Sequence, residues 1–350
     1  MSASCTANMR SMRRDDARVT SRRVALLLQL ATLCGGVAVP RRRLLVGGGG
    51  ALGGALGGGA LGLPAAAAAP PRKTFVVTGA SSGIGFAAAS ELVARGHRVV
   101  VACRTSASAA ATAPKLGAEA PARGCELADL TSVAAFADDV AATVDRVDGL
   151  LCIAGVDGAP RAGAEEPHFA ANYLGHALLA RTLLPKLRAS RGRFVTVSST
   201  ALLDADLAKR PVESLRDAKC DPHVAYANSK ACCVLLADET RRRAPELAVS
   251  ACALPGRVAT QIVRYELPQR AAQSAAMTPD QLARQARQLG LRTPAEGAAL
   301  PVWLADDDAA RGGETLWLDP GVPARLDAAW RDGARARALY DATSAILGAS

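Results

Sequence analysis

The sequence has few aromatic residues and few histidines. Tryptophan, tyrosine and phenylalanine make up 3% of its 350 residues, and the four histidines share no metal-ligand spacing, so no metal site is expected. The nine cysteines include no CxxC pair, and the chain is much longer than the small secreted scaffolds that depend on disulfides. We therefore expect reduced, buried thiols rather than a disulfide framework.

Acidic residues are scarce at the N-terminal end. The first 72 residues contain ten arginines and two aspartates, so they carry eight of the ten net positive charges. The rest of the chain is close to neutral, which removes the electrostatic support for nucleic-acid binding. We expect no nucleic acid among the partners of this protein.

Residues 1–71 have the composition of a targeting leader. An arginine-containing start precedes the uncharged run VALLLQLATLCGGVAVP (24–40), and a second uncharged run extends from Leu44 to Pro71. The first run is short for a bilayer span, and glycine in the second opposes a helix. We predict a two-part segment that directs the protein to a plastid, either to the stroma or to a membrane. The alternatives are the endoplasmic reticulum, the mitochondrion, an uncleaved tail or a weak membrane anchor.

Residues 72–350 alternate between short apolar runs and segments of helical periodicity. The apolar runs are TFVVT (74–78), RVVVAC (98–103), GCEL (124–127), GLLCIA (149–154), RFVTVSS (193–199) and LAVSACAL (247–254). Apolar strands that alternate with helices indicate a parallel sheet covered on both faces, since each crossover helix hides one side. We predict a single α/β domain with a doubly wound parallel sheet of the Rossmann type.

The stretch TGASSGIG (78–85) follows the first apolar run and begins the first helical segment. Glycines at such a junction allow a sharp turn and the close approach of a pyrophosphate to a helix N-terminus. The leader glycines, by contrast, neither follow a strand nor precede a helix. We therefore predict a dinucleotide-binding loop. Its candidate residues are Gly79, Ser81, Ser82, Gly83, Ile84 and Gly85.

The end of the second apolar run indicates which dinucleotide to expect. Many nucleotide-binding folds place an acid there for the ribose 2′-hydroxyl, whereas this sequence has Ala102, Cys103 and Arg104. A guanidinium can bind a 2′-phosphate bidentately. The arrangement favours NADP(H) as the cofactor, and the alternative is a surface arginine at a strand end.

A second group of residues carries acid–base chemistry. In YANSK, Tyr226 and Lys230 are four residues apart, so a helix places them on one face. A nearby cation favours the ionised phenol, and we expect Lys230 to lower the pKa of Tyr226 below its usual value of about 10. Tyr226 can then exchange a proton with a carbonyl or alcohol oxygen, and Ser199 would hydrogen-bond the same oxygen.

The order of these motifs resembles that of the short-chain dehydrogenase/reductase family over residues 73–348. ACRT and NYLGHALLARTLLPKL (172–187) are most similar to the retinol-dehydrogenase-like branch. The resemblance implies that Asn172 holds a water in a proton relay and that Ser199 orients the substrate oxygen. It also implies that Tyr226 is the acid/base, and that Lys230 tunes it and binds the nicotinamide ribose. Further implied cofactor contacts are Asp129 and Leu130 at the adenine, Ala154 and Gly155 beside the cofactor, and Pro255, Gly256, Val258 and Thr260 at the nicotinamide.

One motif departs from the family pattern. CIAG (152–155) stands where the family usually has NNAG, which removes an asparagine pair that ties this strand to its neighbours. We expect altered local hydrogen bonding and retained cofactor binding.

The resemblance implies an NADP(H)-dependent oxidoreductase that interconverts a carbonyl and an alcohol on a hydrophobic small molecule. A light-dependent protochlorophyllide-type reductase is an alternative, because those enzymes share ACR and cysteines such as Cys152 and Cys232. A second alternative is a non-catalytic NADP-sensing protein of a chloroplast translocon, although the full set of Asn172, Ser199, Tyr226 and Lys230 favours an enzyme. Residues 264–290 are expected to form a loop and an amphipathic helix over an apolar ligand. Peripheral membrane association and a homo-oligomer are left open.

Overall fold

The computed structural model describes residues 71–158, 165–207, 210–217, 219–260, 262, 277–324 and 333–348. The predicted leader, apart from its last residue, lies outside these ranges. The first part of the loop predicted over residues 264–290 also lies outside them. Within the described ranges, no helix has the length and apolar character needed to cross a membrane.

A seven-stranded sheet forms the centre of the described structure. The strands are β1 (Thr74–Thr78), β2 (Arg98–Ala102), β3 (Gly149–Cys152), β4 (Arg193–Val197), β5 (Val249–Ala253), β6 (Leu316–Asp319) and β7 (Val322–Pro323). Their order is β2-β1-β3-β4-β5-β6-β7, and every pair is parallel except β6 with β7. The predicted doubly wound parallel sheet is therefore confirmed.

Helices cover the sheet and connect its parallel strands. They are α1 (Gly83–Ala94), α2 (Ser106–Leu116), α3 (Leu130–Thr143), α4 (Gly175–Ser190), α5 (Pro222–Arg243), α6 (Pro279–Gln288), α7 (Pro294–Asp306) and α8 (Gly333–Ile346). A π-helical turn, Phe169–Leu174, leads directly into α4, and two 3₁₀ turns, Thr200–Asp204 and Val212–Arg216, precede α5. The amphipathic helix predicted near residue 280 corresponds to α6.

The core consists of two apolar layers, one on each face of the sheet. Val76 and Leu150 belong to the layer that includes Phe136 of α3, whereas Phe75 belongs to the layer that includes Leu92 of α1. Alternate residues of a strand point to opposite faces, so a strand covered on both faces must be apolar throughout. Each buried side chain of this size contributes about 2 kcal/mol through its removal from water.

The segment GCEL (124–127) is not a strand, although its composition predicted one. The outer edge of β2 is already paired, because Glu119 N donates to Val99 O at 2.8 Å and Glu119 O accepts from Val101 N at 3.0 Å. A Cβ built on Gly124 would lie 2.6 Å from the Cα of Thr105, so the segment crosses closely over the turn after β2. The chain therefore passes over the end of the sheet instead of extending it.

The connections from β1 place a crevice at the carboxyl ends of the strands. The chain leaves β1 for β2 on one side and then returns to β3 on the other side. Where connections diverge in this way, the loops at the carboxyl ends of the strands separate and leave room for a ligand. The loops that follow β1, β2, β3 and β4 all lie at this end of the strands.

Candidate active site

A cleft of about 520 Å³ lies at the carboxyl ends of β1, β2 and β3. Of the residues predicted from the sequence, those in its lining are Gly79, Ser81, Ser82, Gly83, Ile84, Gly85, Arg104, Ala154, Gly155 and Thr260. The N-cap residue of α1, Ser82, makes no side-chain capping hydrogen bond. The first N–H groups of α1 therefore face the cleft with their partial positive charge, which suits a phosphate group.

At two positions of the loop, the conformation or the close packing of the backbone requires glycine. Gly79 has a φ of +68°, which an L residue with a side chain rarely adopts. A Cβ on Gly85 would lie 2.3 Å from the carbonyl oxygen of Gly79, so α1 can start this close to β1 only with glycine at position 85. These constraints keep the turn narrow and leave the cleft open, as the predicted dinucleotide loop requires.

The adenosine end of the cleft, where the sequence predicted a phosphate-binding arginine, contains an ion pair. Arg104 Nε lies 3.1 Å from Glu126 Oε2, and both residues line the cleft. Thr105 and Ser108, at the start of α2, line the same end. Arg104 is therefore in the predicted region, and the Glu126 carboxylate lies beside it, which the sequence did not indicate.

Asp129 and Leu130, which were expected at the adenine, are not among the residues that line the cleft. Asp129 is the N-cap of α3, and its Oδ1 accepts hydrogen bonds from Thr131 N at 2.9 Å and Ser132 N at 3.3 Å. Leu130 packs against the core as the first residue of the helix. Glu126 and Leu127, three residues earlier, line the cleft instead. The position of Asp129 has a local cause, because an aspartate that satisfies the free N–H groups of a helix is held at that helix end.

Thr78 provides the hydrogen bonds around the CIAG segment. Its Oγ1 accepts from Ile153 N at 2.9 Å and from Ala154 N at 3.0 Å, and it lies 3.0 Å from His176 Nε2. Cys152 itself is buried in the core, and burial raises the pKa of its thiol well above the usual range. The turn after β3 is thus tied to β1 by a threonine hydroxyl and backbone groups.

Tyr226 and Lys230 lie together on the buried face of α5. The ammonium group of Lys230 is 5.6 Å from the centre of the Tyr226 ring, and it lies 3.5 Å from Val197 O at the end of β4. Ser198 Oγ donates to the backbone oxygen of Lys230 at 2.7 Å, which attaches β4 to α5 at this point. Ser199 follows and forms a hydrogen bond with the Tyr226 phenol.

The net direction of the Tyr226 pKa differs from the expectation. Burial raises the pKa of Tyr226, Lys230 and the hydrogen bond with Ser199 lower it, and Asp157 raises it. The net pKa lies above the usual value of 10, because loss of hydration disfavours the phenolate more than Lys230 stabilises it. The expected lowering is therefore wrong for the protein by itself, although Lys230 acts in the predicted sense.

Asn172 lies within the π-helical turn, a wide turn often found at functional sites. Its Oδ1 accepts from Val156 N at 2.8 Å, and its Nδ2 donates to Val156 O at 3.1 Å and to Ser229 Oγ at 2.9 Å. A Cβ on Gly155 would lie 3.0 Å from Lys230 Nζ and 3.3 Å from Asn172 Oδ1. Gly155 thus joins the cleft to the group formed by Asn172, Tyr226 and Lys230.

The segment predicted to border the nicotinamide is paired with the residues before α7. Ala259 N donates to Arg292 O at 2.9 Å, and Arg292 Nη1 lies 3.4 Å from Pro255 O. Gly256 has a φ of +77°, and Val258 packs near Gly297 of α7. Of the four predicted residues, Thr260 lines the cleft, next to Gly83.

Other polar residues beside Tyr226 were not identified from the sequence. Asn228, the middle residue of YANSK, holds Asp206 by two hydrogen bonds of 2.8 and 2.9 Å. His168 packs edge-on against Tyr226, with ring centres 5.8 Å apart. Asn228 belongs to the YANSK motif and could have been identified from the sequence. The contact between His168 and Tyr226 depends on the fold and could not.

The described residues fit a dinucleotide that extends from Arg104, across the start of α1, toward Lys230. The reasons are the narrow glycine turn, the uncapped helix N-terminus and the open cleft between them. Beyond Gly155, the buried phenol of Tyr226, ammonium of Lys230 and amide of Asn172, with the half-buried hydroxyl of Ser199, form a group that can hold an oxygen atom and exchange a proton with it. The arrangement therefore suits redox chemistry on a C–O bond.

Comparisons with known proteins agree with this geometry. Residues 73–271 match the family model described as short chain dehydrogenase. Retinol dehydrogenase 13 of Homo sapiens is 36% identical over 55% of this chain and 61% of its own length. Dehydrogenase/reductase SDR family member 13 of Bos taurus is 33% identical over 79% of this chain and 73% of its own length. The structure of an alcohol dehydrogenase from Thermococcus sibiricus, complexed with 5-hydroxy-NADP, has 21% identity and a TM-score of 0.52, covering 73% of this chain and 100% of that chain.

The chain spans 61% of the human retinol dehydrogenase 13 and 64% of the human retinol dehydrogenase 12. The similarity to the Thermococcus structure concerns the fold alone.

Proposed function

The chain belongs to the short-chain dehydrogenase family, in its retinol-dehydrogenase-like branch, and we propose that it is an NADP(H)-dependent oxidoreductase that interconverts a carbonyl and an alcohol. The observation that carries this proposal is the group formed by the buried Tyr226, Lys230 and Asn172 with the half-buried Ser199 at the inner end of the dinucleotide cleft. A protein that only sensed a cofactor would need the cleft but not this group.

The chemistry divides between the cofactor and the protein. The reduced nicotinamide, when bound, supplies the hydride that reaches the carbonyl carbon. Tyr226 donates its phenolic proton to the carbonyl oxygen and accepts a proton from the alcohol in the reverse direction. Ser199 hydrogen-bonds the same oxygen and holds it near the phenol.

Lys230 and Asn172 assist Tyr226. The ammonium of Lys230 favours the phenolate that remains after the proton has left, and it thereby offsets part of the cost of burying that charge. Asn172 holds Val156 and Ser229, and the Oγ of Ser229 donates to the backbone oxygen of Tyr226 at 2.7 Å. Asn172 therefore fixes the turn after β3 and the start of the catalytic helix α5 relative to each other.

We assign NADP(H) on the basis of Arg104. The guanidinium lies at the end of the cleft where the adenosine 2′-phosphate would bind, and the strand end offers no acid at positions 102–104. The Glu126 carboxylate competes for the same guanidinium, so the preference for NADP(H) over NAD(H) depends on which partner Arg104 takes.

A hydrophobic substrate is supported by the segment between β4 and α5. Leu202, Leu207 and Leu215 are buried there, and Leu203 and Val212 are partly buried against the same core layer. This segment borders the end of α5 that carries Tyr226. The three buried leucines anchor this segment to the core, and the partly buried Leu203 and Val212 leave apolar surface for a compound with one carbonyl group to contact.

The test is NADPH consumption by the full-length protein with a panel of aldehydes, ketones and protochlorophyllide, in darkness and in light. We expect turnover of a carbonyl compound in darkness, and we expect Tyr226→Phe to lower kcat by about 10²- to 10⁴-fold. The dissociation constant for NADPH should stay nearly unchanged in this variant, because the phenol is not needed to hold the cofactor.

The other outcomes separate the alternative functions. Turnover of the pigment alone, and only in light, would reject the carbonyl assignment in favour of a light-dependent reductase. Binding of NADPH without any turnover would reject catalysis and indicate a cofactor sensor.

A further inference from the structure

The segment Val156–Gly158, directly after the cleft residue Gly155, is held at both of its ends by side chains. At one end, the amide of Asn172 bonds both the N–H and the carbonyl of Val156, at 2.8 and 3.1 Å. At the other end, Gly158 N donates to His168 Nε2 at 3.0 Å. The backbone of Asp157 lies between these two attachments, so its position relative to the catalytic helix is defined.

His168 is itself held in one orientation. A backbone N–H can only donate, so the Nε2 that receives the Gly158 N–H is unprotonated, and the neutral ring carries its proton on Nδ1. Nδ1 lies 2.6 Å from Glu166 Oε1, and Glu166 Oε2 accepts from Phe169 N at 2.7 Å. Both side chains are buried, and the His168 ring contacts the Tyr226 ring edge-on.

Asp157 contributes a negative charge that is accessible from solvent beside Tyr226. Its side chain is 22% exposed, and its Oδ1 lies 3.9 Å from His168 Nε2. The groups that act on the phenol from the surrounding elements are Lys230, Asp157, Ser199 and Cys233, together with the ring of His168. Among them, the Lys230 ammonium is buried 5.6 Å from the centre of the Tyr226 ring, whereas Asp157 is partly exposed and directly follows Val156, a residue that lines the cleft.

We propose that Asp157 is a specificity-determining residue that makes the site accept neutral or cationic carbonyl compounds and reject compounds with a carboxylate close to the carbonyl group. The proposal rests on the proposed function, because it takes Tyr226 as the group that meets the carbonyl oxygen. Two like charges within a few ångströms in a partly buried site repel each other, since little water screens them. Asn172 and His168 hold the backbone on both sides of Asp157, so its carboxylate stays within one side-chain length of this position.

The experiment compares two aldehydes of the same shape, 4-carboxybenzaldehyde and its methyl ester, with the full-length protein and NADPH. The measured quantity is the ratio of kcat/KM for the acid to that for the ester. We expect Asp157→Asn to raise this ratio about tenfold, the effect of removing one like charge at short range. The matched control is Asp138→Asn, which removes the same charge from the exposed face of α3 and should leave the ratio unchanged. A ratio that is the same in Asp157→Asn as in the wild type would overturn the proposal.

A second measurement does not require turnover. The chain contains four tyrosines, and so the ionisation of Tyr226 can be followed by tyrosinate absorbance, with Tyr226→Phe to assign the signal. Removing the Asp157 charge should lower the pKa of Tyr226, whereas Asp138→Asn should not change it. An unchanged Tyr226 titration in Asp157→Asn would show that this carboxylate does not act at the phenol, and the proposal would fail. A shifted titration without turnover of either aldehyde would support the placement of Asp157 and reject the proposed carbonyl chemistry.

Discussion

At the scale of single residues, Arg104 and Glu126 place opposite charges at the adenosine end of the cleft. Their distance of 3.1 Å joins two partly exposed side chains, and exposed ion pairs of this kind contribute little to folding stability. The ion pair is therefore expected to affect cofactor binding more than folding stability. A 2′-phosphate would compete with Glu126 for the guanidinium, whereas a 2′-hydroxyl could donate to the carboxylate.

This competition predicts opposite effects for the two side chains. Arg104→Ala should weaken NADPH binding by about ten- to a hundredfold, because it removes a charged hydrogen-bond donor, and it should change NADH binding much less. Glu126→Gln should shift the preference toward NADPH, because it removes a like charge from the phosphate position. Dissociation constants for both cofactors, measured by fluorescence titration of each variant, check both effects.

An equal loss of affinity for the two cofactors in Arg104→Ala would reject the phosphate-binding role. The control is Arg95→Ala, which removes an arginine at the opposite end of α1, beside Glu91 and Asp306. It should leave the ratio of the two dissociation constants unchanged.

At the scale of elements, the start of α1 depends on close contact with the end of β1. The backbone at Gly85 approaches Gly79 so closely that one added methyl group would overlap a carbonyl oxygen by more than side-chain movement can relieve. The helix must then move away from β1, and the N–H groups that face the cleft move with it. Cofactor binding and folding are therefore coupled at this position.

We predict that Gly85→Ala abolishes measurable NADPH binding and lowers the free energy of unfolding by about 1–3 kcal/mol, the usual cost of overpacking. The matched control is Gly96→Ala, at the other end of α1. Gly96 has a φ of +86° but no atom within 4 Å of an added Cβ, so this variant tests backbone strain without overlap. It should lose about 1 kcal/mol of stability and still bind NADPH normally. Calorimetry measures the stability of both variants, and cofactor titration measures their NADPH binding. Normal NADPH binding by Gly85→Ala would contradict the prediction.

At the scale of the whole molecule, Asp306 joins three parts of the fold at the amino ends of the strands, opposite the cleft. Its carboxylate lies 2.9 Å from Lys73 Nζ before β1, 3.1 Å from His97 Nε2 before β2 and 3.2 Å from Arg95 Nη1. Asp306 is the last residue of α7. Although burial alone would raise the pKa of Asp306, hydrogen bonds from these three partners lower it from 3.8 to about 2.

A carboxyl group whose pKa is lower in the folded state stabilises the fold above its unfolded pKa, and this stability is lost as the pH falls through the folded value. We therefore expect the wild-type free energy of unfolding to decrease between pH 4 and pH 2 through protonation of Asp306. At pH 5, Asp306→Asn should be less stable by on the order of 1 kcal/mol, a figure reduced for solvent screening of partly exposed partners. Its stability should also depend less on pH below 4.

Denaturant unfolding at several pH values measures this effect. Asp308→Asn is the control, because the Asp308 side chain is 97% exposed and lies 3.8 Å from Arg193. That variant should follow the wild type at every pH. A wild-type slope retained in Asp306→Asn would assign the acid sensitivity to other groups.

The architecture and the two main motifs of the site could be predicted from the amino-acid sequence. The alternation of apolar runs with helical periods predicted the doubly wound sheet, because a strand covered on both faces has to be apolar throughout. The glycine loop and YANSK could also be located from the sequence. Each is a short motif whose spacing has a direct geometric meaning, a narrow turn in one case and one face of a helix in the other.

The residues that surround those motifs could not be predicted in this way, because they depend on how distant segments pack. Asp129 was expected at the adenine but caps α3, Glu126 pairs with Arg104, and GCEL crosses the end of the sheet because Glu119 already occupies the edge of β2. The pKa of Tyr226 also required the fold, since its direction depends on a balance between burial and the charges of Lys230 and Asp157. Burial and contacts between distant segments arise when elements pack together, and no local spacing in the sequence encodes them.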